Sequence, residues 1–304
     1  MVSLALIGCS GTDPEGDKDP TGDPAGTDLI GTFQVELTAE DSKTSILGKV
    51  SSGPTPAAIA WETAASSGDC KLETPKVPFC DPGCGSDVCV ADNVCQPHPE
   101  ARDAGDVRVS GLRTEDGTPE FSLIKVSSSY QAPPAVALVF PPFGEGDTVQ
   151  FSAAGAEIAA FTLQAGGIAP LVVTSTDLAI AAGEDLSLSW EPASDPGASA
   201  VQVEVDISHH GGTKGVIDCE TADDGSLTID SALLDALVDL GVAGFPRAIL
   251  SRRSVGSTMV TSGRIDLVLV SRATVDVSVP GVFSCNETAD CPDGTECQTD
   301  LTCQ

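Results

Sequence analysis

Apolar and polar residues alternate along much of the chain. Phe33, Val35 and Leu37 fall between Gln34, Glu36 and Thr38, and this period of two predicts a half-buried strand. Residues 57–63, with Trp61, predict another. Val107 and Val109 flank Arg108, Phe121 and Leu123 flank Ser122, and Val149 and Phe151 flank Gln150. Turn signals separate these runs: Asp116-Gly117, Pro133-Pro134, Pro141-Pro142 and Gly144-Glu145-Gly146. Further on, Leu186, Leu188 and Trp190 alternate with Ser187 and Ser189. Val201, Val203, Val205 and Ile207 then alternate with Gln202, Glu204, Asp206 and Ser208, the cleanest amphipathic strand of the chain. Leu227 and Ile229 follow, then 248–251, 265–271 and 275–279. One segment changes period. Leu233, Leu237 and Leu240 stand at helical spacing, with Asp230 or Ser231 as N-cap and Gly241 as stop.

Short strands punctuated by turns predict an all-β fold of antiparallel sandwich regions with one short helix. The 304 residues suffice for two ordinary domains, each with its own core. The expected division is a first β region over 29–167 carrying a cysteine-rich insert at 70–97, a sandwich of about seven strands over 168–281, and a cysteine-rich tail over 282–304. Residues 10–28 hold no apolar side chain larger than Ala or Pro and contain three Asp-Pro steps. They predict an extended acidic tether rather than a folded element.

Charge narrows the functional classes. Forty-five acidic residues face fifteen basic ones, for a net charge of −30. Nucleic-acid binding needs clustered Lys and Arg, so that class is excluded, as is a basic patch for anionic lipid. Such acidity keeps a crowded surface soluble; divalent-cation binding is the sharper reading. The tether's Asp and Gly lack the regular spacing of a calcium loop.

Eleven cysteines are present. Apart from Cys9 there are ten, an even number, at Cys70, Cys80, Cys84, Cys89, Cys95, Cys219, Cys285, Cys291, Cys297 and Cys303. Zinc sites usually use Cys-x2-Cys or Cys-x4-Cys pairs, sometimes with His; the spacings here are mostly x3, x4 and x5 without adjacent His, which points to disulfides and an oxidising compartment.

Leu6-Ile7-Gly8-Cys9 resembles a bacterial lipobox, in which the cysteine receives lipid. The resemblance implies that residues 1–8 are the end of a longer signal peptide and that Cys9 is the lipidation site, the chain's membrane anchor. Ser10, rather than Asp, after Cys9 implies the outer membrane or cell surface of a Gram-negative envelope. The run Cys80–Cys95 resembles the small half of an EGF-like module, which implies the pairs Cys80–Cys89 and Cys84–Cys95 and leaves Cys70 and Cys219 for each other; sequence alone keeps other pairings open. The tail resembles short cysteine-rich repeats of secreted proteins, which implies Cys285–Cys297 and Cys291–Cys303. The run from Asp185 to Pro192 resembles the second strand of a fibronectin type III domain, where a core Trp precedes a Pro-rich turn. As a whole the chain resembles bacterial cell-surface lipoproteins. That implies a binding or structural role toward an envelope or extracellular protein or glycan.

Candidate chemistry is sparse. The histidines are His98, His209 and His210. Adjacent His209 and His210 beside Asp206 suggest a metal-assisted envelope hydrolase as the rival reading, but the run leads into Gly211-Gly212 and also fits a plain hairpin loop. No Gly-x-Ser-x-Gly elbow and no phosphate-binding Gly-x4-Gly-Lys-Ser/Thr loop occurs. No cofactor is implied. Tyr130 with the Phe140-Pro141-Pro142-Phe143 run forms either an aromatic ligand patch or core packing. Arg252-Arg253 is expected on a strand or its edge, balancing local acid.

Overall fold

The computed structural model describes residues 28–304. Cys9, the expected signal segment 1–8 and the tether up to residue 27 lie outside the described residues. The first region contains β1 (Leu29–Thr38), β2 (Lys43–Val50), β3 (Ala60–Ser67), β4 (Cys70–Lys76), β5 (Val88–Ala91) and β6 (Val94–Gln96). It continues with β7 (Val107–Ser110), β8 (Glu120–Ser122), β9 (Ile124–Val126), β10 (Ser129–Gln131), β11 (Thr148–Ala153) and β12 (Phe161–Gly166). The second has β13 (Leu178–Ala179), β14 (Leu186–Ser189), β15 (Ala200–Asp206), β16 (Val216–Ala222) and β17 (Ser226–Ile229). Helix α1 (Ser231–Asp239) follows, then β18 (Arg247–Val260) and β19 (Gly263–Ser278). The architecture is all-β sandwich with one α-helix among the described residues.

The main sheet runs β3-β4-β16-β15-β18-β19-β1-β2-β10-β9, with β13 added against β19. Neighbours are antiparallel except β1 and β13, which both run parallel to β19. Two cores lie against this sheet. In the first, Phe33, Val35 and Leu37 of β1 and Ile265, Leu267 and Leu269 of β19 pack with Val107, Val109, Val149, Phe151 and Leu163 from the four-stranded sheet β12-β11-β7-β8. In the second, Val201, Val203, Val205 and Ile217 meet Leu186, Leu188 and Ile229 of the β14–β17 pair, with Leu233, Leu234 and Leu237 of α1. Alternation sorts the faces: Val201, Val203 and Val205 are fully buried while Gln202, Glu204 and Asp206 stay half-exposed.

The two cores are not two consecutive stretches of chain. The β18–β19 hairpin serves both: Leu250 and Val277 enter the second core, and Ile265 to Leu269 enter the first. Cys70 and Leu72, early in the sequence, also belong to the second. Residues 265–271 and 275–279, read as separate strands, form one continuous strand that ends at Ser278, and Ser271 and Arg272 in its middle are satisfied by Leu37 and Glu36 of β1. Gly256 allows β18 to touch β12, since a Cβ there would run into the Gln164 carbonyl oxygen. On β2, Gly48 leaves its place to the Phe33 ring.

Helix α1 starts where Asp230 Oδ1 accepts the Ala232 N–H at 2.8 Å. Its buried stripe is Leu233, Leu234 and Leu237, not Leu240. The helix ends at Asp239, so Leu240 leaves that face and is exposed, and Gly241 takes a left-handed conformation with φ 98°.

Where the two cores meet, Arg252 of β18 is 1 % exposed and fully engaged. Its Nη2 donates to Asp223 Oδ1 at 2.8 Å and to the Glu191 carbonyl, its Nε donates to Asp223 Oδ2, and its Nη1 reaches the carbonyls of Ala169 and Pro170. Asp223 also accepts from Trp190 Nε1 at 2.9 Å and Ser199 Oγ at 2.6 Å. Burial alone would raise this carboxyl, but Arg252, Ser199 and Trp190 outweigh it and hold it below its usual range. Arg252 therefore sits within a strand and balances a local acid, as its sequence context suggested, and it does so in the interior.

Candidate functional site

Five disulfides join the described cysteines: Cys70–Cys219, Cys80–Cys89, Cys84–Cys95, Cys285–Cys297 and Cys291–Cys303. Four of them hold small loops whose side chains are mostly exposed. The fifth, Cys70–Cys219, is buried and links directly opposed residues of β4 and β16.

A groove lies on the outer face above that bond. Pairing of β4 with β16 sets Lys71 opposite Asp218 and Glu73 opposite Val216. Pairing of β16 with β15 sets Asp218 opposite Glu204 and Glu220 opposite Gln202. Leu72 and Ile217 point into the core, so their neighbours must point out. At the sheet's edge, β3 pairs Trp61 with Pro75 and is bulged between Thr63 and Ala65. The result is a hollow of about 380 Å³ lined by Trp61, Lys71, Glu73, Gln202, Glu204, Val216 and Asp218.

Its polar groups are unevenly satisfied. Gln202 Nε2 donates to Asp218 Oδ1 at 2.7 Å, and Thr63 Oγ1 donates to Glu73 Oε1 at 2.7 Å. Among the described residues, no group donates a hydrogen bond to the Glu204 carboxylate. Burial, with the neighbouring carboxylates Asp206 and Asp218, raises its pKa, and Arg247 offsets only part of this. Trp61 is 45 % exposed, whereas Trp190 is buried with its indole N–H on Asp223. Two further hollows are less suited to recognition. One of about 500 Å³ beside α1 has Ile180, Val238, Val279 and Pro280 on its wall, and its Asp235 is engaged by the Gly183 N–H. Another of about 340 Å³ lies at Leu29 and Lys49, where the chain enters the body.

The other sequence-derived candidates fall elsewhere. His209 and His210 occupy the turn after β15, and their ring centroids are 3.8 Å apart. The nearest carboxylate, on Asp206, is 3.9 Å from His209 Nδ1. Burial, Arg247 and His210 push the His209 imidazolium to a lower pKa. Neither histidine lines any of the three hollows. Among the described residues, the groups of three or more metal-ligand side chains close enough to share an ion are Cys80, Cys84, Cys89 and Cys285, Cys291, Cys297, whose sulfurs are all in disulfides. His98 is exposed, one residue past the insert. Tyr130 and Phe143 are buried in the first core, so the aromatic run packs rather than binds. The Tyr130 hydroxyl donates to Asp103 Oδ1 at 2.9 Å and accepts the Ala104 N–H. Among the described residues no helix is long and apolar enough to cross a membrane.

No family model and no curated protein matches the chain. Among solved structures, the FN1–FN3 domains of chicken CNTN1 align at 10 % identity over 76 % of this chain and 70 % of that one, with a TM-score of 0.18. A superposition that loose supports no argument about this chain.

Proposed function

We propose that this protein is a binding module of the extracytoplasmic surface, held at a bacterial membrane by lipid on Cys9 and exposing the Trp61 groove to its partner. The observation that carries the reading is the groove itself: a solvent-facing Trp and a half-exposed carboxylate that accepts no hydrogen bond from the described residues, on a sheet cross-linked by a buried disulfide. Such a cross-linked surface has little conformational freedom to lose on binding. Five disulfides suit a protein that works where thiols are oxidised. The lipobox resemblance supplies the tether, and the outer leaflet or cell surface is the address it favours.

Two arms test this. In the source cells, an alkyne-palmitate label should enter the protein and be lost in Cys9→Ala. The Cys9→Ser chain should capture a defined envelope component, and Trp61→Ala should release it. Capture that is indifferent to Trp61→Ala ends the case for the groove, and an unlabelled wild-type protein ends the case for the anchor.

A further inference from the structure

The chemistry of the groove narrows its ligand, on the reading that the groove is the binding surface. Its acceptors outnumber its donors. Glu204 takes no hydrogen bond among the described residues, Glu73 gives one oxygen to Thr63, and Gln202 spends one of its two amide N–H groups on Asp218, leaving the other and its amide oxygen. Against these stand the Lys71 ammonium and the Trp61 indole N–H. Three carboxylates and one ammonium give the lining a formal charge of −2 (three negative, one positive), on a chain whose net charge is −30.

Three classes of ligand compete for such a lining. A metal ion needs several oxygens converging on one point. These carboxylates stand on separate strands, and among the described residues no three of them lie close enough to share an ion. A neutral sugar would stack on Trp61. It would also displace water from Glu204, which is already held up by burial and by Asp206 and Asp218, while bringing no charge to compensate. Planar cations meet every demand: they have only donors, they carry the missing charge, and they stack on an exposed indole or bond edge-on to carboxylates. We propose that the Trp61 groove binds arginine side chains of a basic peptide segment, one guanidinium stacked on Trp61 and a neighbouring one hydrogen-bonded to Glu204 and Asp218. The chain's overall negative field would steer such a partner toward it.

The test is a titration of the full-length chain, in detergent, with a tetra-arginine peptide acetylated at one end and amidated at the other, followed by tryptophan emission and by calorimetry. Binding should saturate and alter the emission of Trp61, and Trp61→Ala should abolish the calorimetric signal. Glu204→Gln should weaken binding by about tenfold. Asp293→Asn, which removes the same charge from the exposed C-terminal knot, should leave affinity within about twofold. The unchanged emission of buried Trp190 checks that each variant is folded. Equal weakening by Glu204→Gln and Asp293→Asn would mean diffuse attraction to an acidic body and overturn the proposal. Calorimetric binding that survives Trp61→Ala would overturn it as well. So would Trp61-dependent binding of an uncharged xylo- or chito-oligosaccharide with no response to the arginine peptide. That last result would leave the groove as the binding surface and replace only the ligand class; loss of Trp61-dependent capture from the envelope would remove both.

Discussion

Replacing Arg252 by Met is the perturbation with the most to say about how the two cores are joined. The variant keeps the aliphatic volume and removes the guanidinium. Asp223, fully buried, would retain only the Trp190 and Ser199 donors, and the carbonyls of Glu191, Ala169 and Pro170 would lose theirs. Removing one partner of a buried ion pair costs about 3–5 kcal/mol, a large share of a typical total of about 5–15 kcal/mol. The pH dependence gives a second, independent reading. In the native protein the Asp223 pKa is lowered, so its contribution is present above the unfolded value and is lost as pH falls. In Arg252→Met burial dominates, the pKa rises above the unfolded value, and the penalty is relieved as pH falls through it. Urea unfolding followed by Trp190 emission at neutral pH and near pH ~5 should therefore show a deficit that shrinks on acidification. Replacing both partners, as Asp223→Leu/Arg252→Met, should recover much of the loss because no buried charge remains. A deficit below about 1 kcal/mol, or one equal at both pH values, would refute the account of this site as a buried, charged anchor.

Four further outcomes are expected. Cys70→Ala/Cys219→Ala opens a loop spanning 149 residues; chain entropy sets the loss at up to about 5 kcal/mol, read as a lower urea midpoint, and a midpoint within error of wild type would contradict it. Gly256→Ala should destabilise by about 1–3 kcal/mol, because the new methyl meets the Gln164 backbone rather than a movable side chain; an unchanged melting temperature would mean that β12 and β18 are not held in contact. Asp103, held at a pKa of about 2 by Lys125, the Gly105 N–H and Tyr130, stabilises the fold fully at neutral pH and loses that contribution as pH falls from its ordinary value toward 2. Burial, with Asp103 nearby, pushes Tyr130 up to about 12, so stability should also decline as pH climbs from 10 to 12. Circular-dichroism melts of Asp103→Asn should show a flatter acid limb than wild type.

Much of the fold is legible because one-sided burial leaves a trace in sequence. Val201, Val203, Val205 and Ile207 could only alternate if one face met a core, and all are fully buried. The long hairpin is harder to read. Ser271 and Arg272 break the apolar run of β19, and Arg252 breaks that of β18, because their partners are Leu37, Glu36 and Asp223, which only the folded chain brings near. The groove is harder still. Its lining comes from residues 61, 71–73 and 202–218, and nothing local ties these together. Trp61 reads as a strand residue, yet β3, Ala60–Ser67, offers no second large apolar side chain to form a core stripe beside it. That isolation is the sequence signal that Trp61 faces water. Leu240 shows the reverse limit: helical spacing places it on the buried stripe, and a helix that stops one residue short leaves it outside.

The position of β1 also determines how the body would carry load. A pull arriving from residues before Leu29 enters β1 at its end, and β1 is an interior strand, bonded to β19 from Gly31 to Thr38 and to β2 over the same span. Such a force runs along the strand, so the bonds on both flanks resist together instead of opening one at a time as they would on an edge. The load then passes through β19, β18 and β15 to β16, the strand that the Cys70–Cys219 bond ties to β4 beneath Trp61. A ligand held at the β3 end and a pull entering at Leu29 would thus be connected through one continuous run of hydrogen-bonded strands, from β1 across to β4 and β3.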